Sequence, residues 1–189
     1  MQKIVIFCLS FLLVACAYSP QQIQIDPQFT VAGETFGEGR IVAVSAEDRR
    51  SSPVIGKRGG VYSETSIITL AENFPEVLAT SAEQALQQLG FVVNANEVPA
   101  ASIIVVLEDL SYTKNRSEFL PAIDLNLSLL LKIIVANKTF EGRYKSQANQ
   151  PFILNPSVEK NQRLINGALS DTLQRAFSDS KVKAFLSNS

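Results

Sequence analysis

The sequence predicts an α+β fold: a mostly antiparallel sheet with two amphipathic helices packed on one face. Three observations carry that expectation. Ile123, Leu125, Leu127, Leu129, Leu131, Ile133 and Val135 alternate with Asp124, Asn126, Ser128 and Lys132, the period of two of a strand with one buried face. Phe74, Leu78, Ala82, Ala85 and Leu89, and later Ile165, Leu169, Thr172 and Ala176, recur at steps of three and four, as on a helix with one buried side. Runs of strands interrupted by these two stripes leave the helices only the sheet to pack on.

The elements follow in order. Residues 17–39 are rich in Gln, Pro, Thr and Gly and read as an extended linker, with an edge strand through Gln22 to Ile25. Arg40 to Ala46 is a β-branched run and the first core strand. Val54 to Arg58 and Val61 to Leu70 flank Gly59-Gly60, a hairpin signal because glycine takes positive φ freely. The first helix starts with Asn73 and Glu76 spaced as a capping box and stops at Gly90. Phe91 to Val93 is a short strand, and Ser102 to Leu107, apolar on both faces, is a central one. The alternating strand 123–135 is joined through Asn137-Lys138 to Thr139 to Gln147 as a long hairpin. Asn155-Pro156 opens the second helix, and Asp179 starts a short last one through Leu186.

The front of the chain has a different build. Lys3, the apolar Ile4 to Leu13, and the small Val14 and Ala15 form the three parts of a secretory signal over residues 1–15. The apolar part is shorter than the roughly 20 residues that span a bilayer. Leu13-Val14-Ala15-Cys16 resembles the bacterial lipobox, which implies cleavage between Ala15 and Cys16 and acylation of Cys16. Ala17, in place of an aspartate, implies by the same resemblance the outer membrane, on its periplasmic side. The expected organisation is signal 1–15, lipidated tether 16–39, and one domain over 40–189, long enough to bury a core unaided.

Composition excludes several functions. Loss of Lys3 leaves 16 basic against 18 acidic residues, so nucleic acid is not an expected partner. Cys8 leaves with the signal and Cys16 carries lipid, so no disulfide can form within the domain. The chain has no histidine, which removes the commonest general base and metal ligand together. No metal and no cofactor are expected.

The lipobox, the strand ending in Asp48-Arg49-Arg50 with Gly56 downstream, the helix ending at Gly90-Phe91, the long hairpin and the helix Ser157 to Phe177 occur in an order that resembles the YajG family of outer-membrane lipoproteins. The resemblance covers nearly the whole chain, and its most distinctive element is the Asp-x-Arg of Asp48 and Arg50. It implies a periplasmic lipoprotein and brings no biochemical activity with it.

The remaining polar clusters have modest chemistry. Asp48 and Arg50 could clamp a polar ligand or pair with each other to fix a loop, and pairing is favoured. Gly56-Lys57-Arg58-Gly59-Gly60 could cradle a phosphate, but its spacing is not that of a phosphate loop and no helix follows, so a charged hairpin tip is favoured. Glu108 and Asp109 point to opposite faces unless a bulge intervenes. No Gly-x-Ser-x-Gly elbow surrounds any serine. Leu130 and Ile134 fall on the sheet face away from the helices and form the candidate partner face. The expected protein is therefore non-catalytic, anchored to the membrane by its N-terminal lipid and binding another envelope component. The alternative is a carrier of a small ligand, glycan or lipid.

Overall fold

The structure, a computed structural model, describes residues 19–31, 33–59, 65–94, 97–116 and 120–187. The strands are β1 (Gln21–Ile23), β2 (Ile41–Asp48), β3 (Val54–Lys57), β4 (Ile67–Leu70), β5 (Val92–Val93), β6 (Ala101–Arg116), β7 (Pro121–Val135) and β8 (Lys138–Pro151). The helices are α1 (Phe74–Gln88), α2 (Val158–Phe177) and α3 (Ser180–Ser187). Signal residues 1–15, Cys16, Gly60 and the front of the expected strand from Val61 lie outside the described residues.

The long strand β6 organises the sheet. One edge of β6 pairs antiparallel with β7 from Ser102 to Arg116, and β7 pairs antiparallel with β8 throughout. The other edge is shared. β2 runs parallel to Ala101–Leu107, and β3 joins further along, Gly56 beside Tyr112. A Cβ on Gly56 would lie 2.1 Å from the Tyr112 carbonyl oxygen, so the close approach needs glycine. β5 extends β2 in parallel, and β4 and β1 extend β3.

The expectation of a mostly antiparallel sheet is therefore corrected. Among the described residues the sheet is mixed and has eight strands; β1–β4, β2–β5, β2–β6 and β3–β6 are parallel, against three antiparallel pairings. The reason is the crossover through α1. It carries the chain back to the starting end of the sheet, so β5 and β6 set out from the same end as β2 and run parallel to it.

The helices do cover one face. α1 buries Leu78, Ala82, Ala85 and Leu86, and α2 buries Ile165, Leu169, Leu173 and Phe177. Both pack in a single apolar core with Val42, Ile103, Val105, Leu125 and Leu129 of the sheet. Each fully buried leucine or isoleucine contributes roughly 1.5–3 kcal/mol. Ile23, Ile25 and Val31 belong to the same core, so this part of the stretch assigned to the tether is packed on the domain. It does so because Gln21–Ile23 finds the parallel edge of β4, and Asp26 N–H donates to Asn166 Oδ1 of α2 at 2.8 Å.

Candidate functional site

The site forms where β8 leaves the sheet. Pro151 ends the strand, and five residues later Pro156 stands two positions before α2. The apolar run between the prolines can continue neither as strand nor as helix. Phe152 is held by its N–H to Pro121 O, 2.9 Å, and by Lys114 Nζ, 5.1 Å from its ring centre. Ile153 and Leu154 are left 85% and 80% exposed. Ser157 caps α2 by accepting from Lys160 N–H; Asn155, expected to be the cap, instead accepts from Lys114.

α2 then runs beside β8, with its far end tied down by Arg175 Nη2 to Lys145 O, 2.7 Å. Between them lies a groove of about 1000 Å³. Ala148 and Pro151 line it from the strand, Leu164 and Ala168 from the helix, and Ile153 and Leu154 from the loop. Lys160 and Arg163 stand on its helical wall, and Asp171 lies toward the end that Arg175 closes.

The strand wall is an open sheet edge. β8 pairs with β7 alone among the described residues. Phe152 bonds inward to Pro121, while Lys145 O accepts from α2 on the outside. In an antiparallel ladder backbone direction alternates, so odd-numbered residues of β8, including Gln147 and Asn149, aim N–H and C=O outward. Pro151 falls in that set, and its missing N–H therefore takes nothing from the β7 ladder.

Beside the first turn of α2 is a buried polar junction. Asn161 is 1% exposed; its Nδ2 donates to Gln21 Oε1 at 2.7 Å, and its Oδ1 accepts from Tyr112 OH at 3.1 Å. Burial pushes the Tyr112 phenol up to about 12, against the lowering effects of the Asn161 bond and Arg58. It stays protonated and donating at neutral pH.

The residues singled out by sequence are dispersed. Ala15 and Cys16 lie outside the described residues. Arg50 grips Asp48 through Nε and Nη2, both at 2.9 Å, and through its own N–H at 3.1 Å. Its guanidinium also lies 5.0 Å from the Phe74 ring centre. This is the pairing alternative. Burial raises the Asp48 pKa, but the bonds from Arg50 outweigh it and hold the carboxyl below its ordinary value.

A bulge between Leu107 and Asp109 brings Glu108 and Asp109 to one face, as the opposite-face reading had excepted. Glu108 is engaged there by Arg143 at 3.1 Å and by Ser128 Oγ at 3.3 Å. Asp48 lies in register with the core residue Leu107, hence on the other face from Glu108, so the two carboxylates do not converge. Gly56 and Lys57 are part of β3, not of a loop around an anion.

Leu130, opposite Val106 and Arg143, is only 3% exposed, and Val106 is fully buried. Ion pairs Arg49–Glu47, Arg143–Glu108 and Lys132–Glu141 at 2.7, 3.1 and 3.9 Å lie on that face. Ile134 is half-buried beside Ser102 and Thr139. Among the described residues no group of three or more His, Cys, Asp or Glu could hold a metal ion.

Among the described residues a mixed sheet carries three helices, and this fold has counterparts among bacterial proteins. A protein of Xanthomonas campestris is similar over 90% of this chain and 97% of its own, with 10% identity and a TM-score of 0.53. A putative neuraminyllactose-binding hemagglutinin homolog of Helicobacter pylori is similar over 88% and 97%, with 9% identity and a TM-score of 0.55. These likenesses are of fold. The chain itself belongs to a family of uncharacterized lipoproteins, of the YajG type, whose model matches residues 27–187. No curated protein matches its sequence.

The groove escaped the sequence reading. Its signal is present: Phe152-Ile153-Leu154 is an apolar run between Pro151 and Pro156, where no regular element can bury it.

Proposed function

We propose that the protein is a non-catalytic binding component of the bacterial envelope, anchored by lipid on Cys16 to the periplasmic side of the outer membrane. Its groove takes an extended segment of another envelope protein. The observation that carries this reading is the outward-facing backbone of Gln147 and Asn149 beside an apolar trough. An added strand satisfies such an edge while its alternate side chains fill the trough. Engagement of Asp48 by Arg50 and of Glu108 by Arg143 favours binding over catalysis. Ala17 after Cys16 supports the outer membrane.

A second reading, a lipid or other apolar small ligand in the same groove, rests on its volume of about 1000 Å³, at the upper end of ligand sites. Gln147→Pro separates the two. It removes an outward N–H without touching the β7 ladder. With a photo-crosslinking residue at Gly167, on the groove wall with open space around its Cα, in-cell capture of a defined segment of an envelope protein is expected. Gln147→Pro is expected to reduce capture roughly tenfold, as loss of a main-chain bond with its partner left unpaired does; Gln147→Thr should retain it. Capture indifferent to Gln147→Pro would reject strand addition.

A further inference from the structure

Three of the five large exposed apolar side chains among the described residues, Leu120, Ile153 and Leu154, lie at one end of the molecule beside the entering chain. Arg58 Nη1 donates to Ser19 O at 3.4 Å, Lys114 Nζ donates to both Arg58 O and Asn155 Oδ1, and Asn155 follows Ile153 and Leu154. Ser19 and this apolar loop are therefore joined through two cationic side chains. Leu120, 47% exposed, lines the same groove mouth as Ile153 and Leu154, with Lys160 and Arg163. The other large exposed apolar side chains among the described residues, Val92 and Val98, lie at the Ala101 end of β6, away from this pole.

Covalent geometry adds the decisive length. Cys16 precedes Ser19 by three residues, so their Cα atoms are within about 11 Å whatever path the chain takes. This step rests on the reading of Cys16 as the lipid-bearing residue. Acyl chains on Cys16 then bring the bilayer surface to this end of the domain and to no other.

We propose that this pole is seated in the phospholipid surface that holds the chain's own anchor, with Leu120, Ile153 and Leu154 below the headgroups and Lys160 and Arg163 level with the phosphates. Interfacial segments bury apolar side chains about 5–10 Å deep with cations above them, and this pole brings both kinds of side chain together around one groove mouth. Glu159 is the acidic residue of the same helical turn, and it is outnumbered. A second copy fits less well, because three exposed side chains fall far short of the roughly 800 Å² per partner of a stable interface. Seated so, the groove opens at the membrane and runs away from it along β8.

The chain contains no tryptophan, so a single one reports its own surroundings. Full-length, lipidated Leu154→Trp and Val98→Trp proteins are reconstituted in phosphatidylethanolamine–phosphatidylglycerol vesicles, with and without brominated acyl chains. Both positions are exposed, so neither change disturbs packing, and circular dichroism checks the fold. Bromolipid is expected to quench Leu154→Trp roughly twofold, as for a side chain at the headgroup–acyl boundary, and to leave Val98→Trp unchanged. Mass analysis of the N-terminal peptide tests the anchor separately. An acylated Cys16 with unquenched Leu154→Trp overturns the seating and leaves the anchor standing; an unmodified Cys16 overturns both. Blue-shifted but unquenched emission identifies a protein, such as a second copy, as the occupant and equally rejects the lipid.

Discussion

At the scale of single residues the structure separates contacts that bear on stability from contacts that decorate the surface. The Arg50 side chain is 5% exposed and bidentate on Asp48, whereas Arg49 on Glu47 is 55% exposed. Arg50→Ala is expected to destabilise by about 1–3 kcal/mol and Arg49→Ala by about 0.5 kcal/mol or less, measured by urea unfolding. The pH dependence has a definite sign. Because the folded Asp48 carboxyl lies below its ordinary 3.8, its contribution is complete above that value and is lost as pH falls through the folded pKa. Asp48→Asn should flatten that part of the acid limb; an unchanged limb would reject the assignment. The pair was legible because the two residues stand two apart at a strand end. The neighbouring carboxylates were not, since nothing in Glu108-Asp109 announces the bulge that turns both to one face.

At the scale of elements, local signals worked where one face is buried. β7 forms where its alternation was read, although Ser128 and Leu130 on the other face are buried as well, and the stripes of α1 and α2 are the faces that enter the core. β6 was legible only to Leu107, because beyond it polar residues interrupt the apolar run: Thr113 and Asn115 are exposed, and Tyr112 is buried with its hydroxyl bonded to Asn161 of α2. Strand direction was not legible, since it depends on where α1 returns the chain. Caps offer a sharp contrast. Asn73 makes no side-chain cap bond to α1, while Ser157 accepts from Lys160 N–H of α2. Ser157→Ala should therefore cost about 1 kcal/mol in thermal or urea unfolding and Asn73→Ala close to nothing; equal losses would mean that α1 is capped in solution. The expected box at Asn73 and Glu76 fails although its spacing is right. Asn73 has φ −81° and ψ 11°, away from the extended backbone that an N-cap side chain needs.

At the scale of the whole molecule, β6 ties two half-sheets together, and the groove lies where the hairpin half meets α2. That site was illegible as a site because its walls are distant in sequence and its backbone edge has no side-chain signature. Only the proline-bracketed Phe152-Ile153-Leu154 marked the place. The junction of Asn161 with Gln21 and Tyr112 links the start of the domain to its last long helix. Asn161→Leu leaves two buried polar groups unpaired and is expected to cost about 1–3 kcal/mol. Amide exchange should accelerate more at Ile23 than at Leu129; uniform acceleration would show that β1 opens only with the whole domain. That junction also bears on the order of assembly. Gln21 and Asn161 are 140 residues apart, and contacts so distant close late, after the intervening chain has condensed. The backbone of β1 finds its partner once β4 is present, but the Gln21 side chain has none until α2 arrives. The bond from Asn161 is thus a late latch: it closes over a strand already paired with β4, and only when nearly all of the remainder is present.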